Sequence, residues 1–126
     1  MLYRTMKKTG DALSILGFGS MRLPQRKGQP GTGRIDEERA TRQIRYAIDS
    51  GVNYVDTGML YHMGRSEPFL GQALADGYRE KVKVATKLPP WSVRVRSDMD
   101  TILSAQLEKL KTDRIDYYLV SLLQNS

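Results

Sequence analysis

A chain of 126 residues has room for one domain and is too short for a complete (β/α)8 barrel, which takes roughly 250 residues. With 40% hydrophobic and 27% charged residues it can build a core and is not disordered throughout, while the lack of cysteine excludes disulfides, a thiolate nucleophile and a Cys-ligated zinc or iron–sulfur cluster, and a single histidine, His62, excludes a His-rich metal site. The formal charge of +6 lies in residues 1–45, with ten Lys/Arg against four acids, whereas residues 46–126 balance. Apart from Tyr3 and Phe18 no aromatic side chain interleaves with these charges, so the basic third reads as solvated surface and nucleic-acid binding is not expected. The first eight residues turn charged before any apolar run develops, and no stretch approaches 18 apolar residues. Neither a secretory signal nor a membrane span is expected, which makes a cytoplasmic location the expectation.

In chain order, residues 2–6 and 12–16 are short apolar runs around a Gly-containing turn, the pattern of a β-hairpin. A strand-like run over residues 13–19 follows. Residues 25–34 hold three glycines and a proline and read as a loop, with a lid as the functional version of that reading. Asp36 can cap a helix whose first turn carries Glu37 and Glu38, and Ala40, Ile44, Ala47 and Ile48 fall on one face. Gly51 stands at the helix C′ position, before a buried strand over residues 52–57. Ser66 is the expected N-cap of a second helix with the face Phe69, Leu70, Ala73 and Leu74, ended by Gly77. A strand over residues 82–87 is stopped by Pro89 and Pro90. Ser97 or Asp98 is expected to cap a third helix in which Met99, Ile102, Leu103, Gln106, Leu107 and Leu110 repeat at helical spacing. Residues 115–120 form the last strand. Strands separated by single helices predict parallel βαβ units. The pattern alone leaves open a small doubly wound sheet and part of a (β/α)8 barrel. Leu16-Gly-Phe-Gly19 is not a G-x-G-x-x-G motif, and no P-loop is present.

In parallel α/β folds the reactive side chains sit at the C-terminal strand ends. There the sequence offers Gly19 and Ser20, then Asp56, Thr57 and nearby Tyr61, then Lys87, then Ser121. Asp, Tyr and Lys at one mouth point to carbonyl chemistry. A free phenol, with a pKa near ~10, is a poor acid at neutral pH, and an adjacent ammonium favours its phenolate. An aspartate bonded to the lysine keeps that ammonium charged and aimed, so the tyrosine can protonate a carbonyl oxygen as hydride reaches the carbon.

These residues carry a resemblance to the N-terminal part of the aldo-keto reductase family. It rests on residues 15–24 (ILGFGSMRLP), 47–57 (AIDSGVNYVDT), 64–67 (GRSE) with Leu70-Gly71 and Ala73-Leu74, 84–87 (VATK) and 107–119 (LEKLKTDRIDYYL), in family order and spacing over nearly the whole chain. The Met-Arg-Leu-Pro stretch is similar to the bacterial and archaeal branch that often carries a C-terminal ferredoxin-like segment, which is expected to be lacking here. The resemblance implies an α/β fold, an N-terminal β-hairpin (residues 2–16) plugging a (βα)3β half (residues 16–126) of a TIM-type (β/α)8 barrel, as one truncated domain. It implies a metal-free reduction of aldehydes or ketones with NADPH or NADH. Tyr61 would be the general acid, tuned by Lys87 and Asp56, and Gly19, Ser20 and Met21 would line the nicotinamide end of the pocket. Two departures stand out. The family's fourth catalytic residue, a histidine, falls at Ser121, and losing such a donor costs about 10²–10³ in rate. His62, beside Tyr61, is expected to face elsewhere. The family's cofactor-phosphate sites belong to a second half beyond these residues, so tight NADPH binding by this chain alone is not expected. Trp91 reads either as part of a substrate wall or as an edge-packed tryptophan. Open strand edges predict an oligomer, most simply a two-fold dimer. An oxidoreductase, expected to be inactive or weak as the 126 residues alone, and a non-catalytic half-barrel remnant or interaction module that oligomerises through open sheet edges are the competing readings.

Overall fold

In the computed structural model, which describes residues 1–28, 32 and 34–120, two short strands open the chain. β1 (Tyr3–Thr5) and β2 (Ala12–Ser14) pair antiparallel with Tyr3 opposite Ser14. Gly10 closes their turn at φ +78°, a left-handed value that glycine adopts without steric cost. The chain then enters a four-stranded parallel sheet in the order β3 (Phe18–Gly19), β4 (Tyr54–Asp56), β5 (Lys83–Leu88) and β6 (Tyr117–Val120). The crossovers are α1 (Glu37–Asp49), α2 (Ser66–Ala73) and α3 (Arg96–Leu110). This is the hairpin and (βα)3β order expected from the sequence. One register row, Gly19–Asp56–Ala85–Tyr117, crosses all four strands.

β3, β4 and β6 are shorter than their expected runs, and several run-end residues also bond outside the sheet. Val52 donates its N–H to the Ala47 carbonyl and so closes α1 instead of entering β4. Asn53 ties the sheet to the hairpin: its Oδ1 accepts from the Ser14 N–H at 2.7 Å and its Nδ2 donates to the Ala12 carbonyl at 2.7 Å. Asp116, expected inside the last strand, donates its N–H to the Val84 carbonyl at 3.0 Å, while its carboxylate accepts the Val84 N–H at 2.8 Å and pairs with Arg79 at 2.9 Å.

Asp36 caps α1 by accepting the Arg39 N–H at 3.2 Å, and Ala40, Ile44 and Ile48 of that helix are buried. Gly51 follows at φ +108°, as its C′ position predicted. The other two caps differ from expectation. Ser66 is the first residue of α2, with Arg65 before it, because the Ser66 hydroxyl turns inward to Thr57 instead of capping its own helix. α3 starts at Arg96, one residue before the expected caps. Asp98 lies in its first turn and accepts the N–H groups of Arg94 (2.8 Å) and Val95 (3.1 Å), which hold its carboxyl below the usual range.

Successive strand residues face opposite ways. Val55 and Val84 pack against Ile44, Ile48, Leu70 and Leu110 on the helix side, where the core lies. Tyr54, Asp56, Lys83, Ala85, Lys87 and Tyr117 share the other face, and the Tyr54 and Tyr117 rings meet there at 5.6 Å. The hairpin covers the N-terminal end of that face. Asp11 accepts the Tyr117 hydroxyl at 2.6 Å and pairs with Lys83 at 3.3 Å. The Tyr117 hydroxyl above all, with Thr9 and Lys83, holds the Asp11 carboxyl below its ordinary range.

The expected loop over residues 25–34 has paired ends: Gln25 bridges Ile35, and the Arg26 N–H bonds the Arg34 carbonyl. Residues 29–31 and 33, which carry the lid reading, lie outside the described residues. Among the described residues no helix is long and apolar enough to cross a membrane.

Candidate active site

Parallel strands bring their C-terminal ends to one side of the sheet. Asp56 ends β4, and Lys87 stands next to last in β5 on the same face. The Lys87 Nζ donates to Asp56 Oδ1 (2.9 Å), Asp56 Oδ2 (3.0 Å) and the Thr57 carbonyl (2.6 Å). Three donors meet three acceptors, which fixes the ammonium at the crossing of the two strand ends. Burial pulls the lysine pKa down, but the closeness and charge of Asp56 and Tyr61 outweigh it and raise Lys87 above its ordinary value. The ammonium therefore stays charged at neutral pH.

Tyr61 reaches the same place by a tight turn. Its N–H bonds the Gly58 carbonyl, and its own carbonyl accepts the N–H groups of Gly64 and Ser66, all at 3.2 Å. His62 and Met63 follow at φ 53° and 54°, left-handed values that cost side-chain-bearing residues on the order of 1 kcal/mol each. His62 is held there by its Nε2, which accepts the Leu23 N–H at 2.9 Å, so the imidazole faces the segment after β3, away from the cleft, as expected. Gly58 makes room for the phenol: a Cβ there would lie 3.0 Å from Tyr61 Cε1 and 3.1 Å from Cζ. The ring face so placed lies 4.8 Å from the Lys87 Nζ, within range of a cation–π contact. Tyr61 and Lys87 bound a small cavity of about 90 Å³ together with Met59, Pro89 and Trp91. The indole thus takes a place in the wall while staying 52% exposed.

At the end of β3, Gly19 faces open space, and an added Cβ would meet nothing within 4 Å. Ser20 is fully buried; its N–H bonds the Asp56 carbonyl at 2.9 Å, and its Oγ has no partner among the described residues. Met21 is 61% exposed. Ser121 lies outside the described residues. No group of three or more His, Cys, Asp or Glu able to hold a metal occurs among the described residues.

Beneath Lys87 lies a buried polar cluster that the strand-end reading missed: Ser66, Glu67, Thr86 and Gln106, each at most 1% exposed. A signal for it existed. Glu67 shares the α2 stripe of Leu70 and Leu74, and Gln106 sits within the apolar repeat of α3, so both are polar residues at core positions.

A family model described as the Aldo/keto reductase family matches residues 15–123. Aldo-keto reductase YhdN of Bacillus subtilis is 31% identical over 128 residues, covering 95% of this chain and 38% of that protein. Methylglyoxal reductase YeaE of Escherichia coli is 34% identical over 121 residues, covering 95% of this chain and 39% of that protein. The fold is similar to that of an aldo-keto reductase from Klebsiella pneumoniae solved in complex with NADPH, with a TM-score of 0.79 and 25% identity, over 100% of this chain and 42% of that one. The chain thus spans about two fifths of the length of these relatives.

Proposed function

The chain belongs to the aldo/keto reductase family, with the α/β fold of the first half of its barrel, and from that premise we propose that Asp56, Tyr61 and Lys87 are the proton-donating group of a nicotinamide-dependent reduction of aldehydes or ketones. The observation that carries this reading is the Lys87 ammonium, bound to Asp56 at 2.9 Å and set 4.8 Å from the Tyr61 ring. In the forward direction the Tyr61 hydroxyl gives its proton to the carbonyl oxygen of the substrate. The phenolate left behind is stabilised by the Lys87 ammonium. Asp56 keeps that ammonium charged and aimed. Trp91, Met59 and Pro89 supply an apolar wall and help exclude water from the proton donor.

The residues at the end of β3 fit the nicotinamide end of such a cofactor. Gly19 leaves the surface beside Asp56 open, Met21 is exposed, and the buried Ser20 Oγ is a hydroxyl without a partner among the described residues. When bound, the reduced nicotinamide supplies the hydride. NADPH is the form favoured by the Klebsiella pneumoniae neighbour's complex. A second reading, a non-catalytic half-barrel, is favoured by one observation: Ser121 stands where the family pattern has a histidine. Titration of the chain with NADPH by fluorescence separates the two. Micromolar binding supports the enzyme, and no binding up to millimolar cofactor supports the non-catalytic chain.

We further propose that the chain self-associates. β3 and β6 each have one strand neighbour among the described residues, and Tyr118, Leu119 and Val120 of β6 are exposed. Unpaired edge N–H and C=O groups favour pairing with a second copy. Light scattering behind a sizing column is expected to give about twice the 14.3 kDa chain mass, and a uniform 14.3 kDa species at micromolar concentration contradicts it.

A further inference from the structure

The first turn of α2 buries a Ser66-Glu67 pair, at 0% and 1% exposure, that the chemistry above does not use. A buried carboxyl is costly unless it is hydrogen-bonded. Glu67 Oε2 accepts two bonds, from Thr86 Oγ1 at 2.9 Å and from Gln106 Nε2 at 3.1 Å. Its Oε1 has no partner among the described residues. Gln106 Nε2 also donates to the main-chain carbonyl of Lys87 at 3.0 Å, and Gln106 Oε1 accepts the Tyr118 hydroxyl at 2.5 Å. The amide orientation follows from these partners, because a carbonyl oxygen can only accept. On the other side Ser66 Oγ shares a 2.8 Å bond with Thr57 Oγ1, and the Thr57 carbonyl is the third acceptor of the Lys87 ammonium.

Apart from Asp56 and the Tyr61 ring, three handles on Lys87 lead back to residues 66–67 within two hydrogen bonds. Its carbonyl is reached through Gln106, its chain neighbour Thr86 directly, and an acceptor of its ammonium through Thr57. Lys87 is next to last in its strand, and β4 ends at Asp56 opposite Ala85, so at Lys87 the described strand pairing is with Leu119 of β6 on one side. The helix-side network supplies the missing constraint.

We propose that Glu67 and Gln106 are positioning residues for Lys87: they lock the strand end so that the ammonium stays between Asp56 and the Tyr61 ring. The role rests on the reading of Lys87 given above. Neither residue touches the cleft side of the sheet. A purely structural network would change the stability of the fold and leave Lys87, in the folded chain, as it was.

The test follows the Lys87 side chain by NMR, through its ε-CH2 signals, in the full-length chain, assigned with Lys87→Met. In the wild type, Asp56 and Tyr61 are expected to hold the midpoint above the ordinary lysine value of about 10.4. Glu67→Gln keeps a carbonyl oxygen to accept from Thr86 and Gln106, and is expected to keep both the chemical shift and the titration midpoint. Glu67→Leu and Gln106→Met remove the clamp, and in the folded variants the midpoint is expected to fall toward the ordinary value. Where turnover is measurable, kcat is expected to drop by about 10²-fold with KM for the carbonyl substrate unchanged, the cost of a misplaced group. Folded Glu67→Leu or Gln106→Met with Lys87 signals superimposable on the wild type overturns the proposal. If Glu67→Leu does not fold, Gln106→Met decides alone; if that also unfolds the chain, the network is a folding element and the proposal fails. The NMR readout needs no turnover. A chain that reduces no carbonyl but shows the Lys87 displacement refutes the oxidoreductase reading and leaves the positioning role standing.

Discussion

Glu67 sits in the core next to Thr86 and Gln106, and burial raises its carboxyl above the ordinary value of about 4.3, against smaller opposing pulls from its hydrogen bonds and from Lys109 and Lys87. The sign of the consequence follows from linkage. Between the unfolded and folded values the native chain holds a proton that the unfolded chain has lost, so stability is full below the unfolded value and falls as pH rises through the folded one. Glu67→Gln has no such proton. Urea melts over a pH series are expected to show the wild type losing stability relative to Glu67→Gln as pH rises from below about 4.3, and parallel pH profiles contradict it. At this scale the strand-end positions of Asp56 and Lys87 were legible, because a parallel sheet fixes where its C-terminal ends go, whereas Tyr61 is brought in by the turn after Gly58. The His62 contact with Leu23 and the Thr57–Ser66 bond were not, because they depend on a left-handed turn and on a serine facing inward.

Helices α2 and α3 meet at a glycine. A Cβ on Gly71 would lie 2.6 Å from the Lys109 carbonyl oxygen and 2.9 Å from the Leu110 carbonyl carbon, both backbone atoms that no rotamer change can move. Gly71 is one turn after Glu67, so the same close approach brings Glu67 to Gln106. Helix propensity alone favours alanine over glycine by roughly 1 kcal/mol. Overpacking typically costs about 1–3 kcal/mol, more against rigid backbone, and is expected to win. Gly71→Ala should lower stability in urea melts, and unchanged or increased stability contradicts the close packing of the two helices. The helices themselves were legible from their 3.6-residue repeats and from the Asp36 cap. The strand limits were not, since Val52 looks like a strand residue yet bonds to α1, and Asn53 and Asp116 turn their side chains to the hairpin and Arg79 while their main chains still bond Lys83 and Val84. Apolar pattern marks which residues are buried and does not say which element holds their backbone.

As a whole, the molecule divides its labour between two sheet faces. The helix face packs Val55 and Val84 into the core and, through Glu67 and Gln106, braces Lys87; the other face carries Asp56, Lys87 and Tyr54, with the hairpin bonded across its N-terminal end. The order hairpin, strand, then three helix–strand units could be read from the sequence, as could its match to the first part of a (β/α)8 barrel. The Trp91 wall could not be decided from sequence, because Pro89 and Pro90 set its direction by the short helical turn at Pro90–Ser92. The central claim is that the phenol beside Lys87 is the proton donor of a carbonyl reduction. It is tested most directly by NADPH-dependent turnover of a small aldehyde by the wild type and Tyr61→Phe. The account predicts turnover by the wild type and a loss of about 10²-fold or more in Tyr61→Phe, within the range for removal of a general acid. Equal turnover by the two folded proteins, or none by a wild type that binds NADPH, would contradict it.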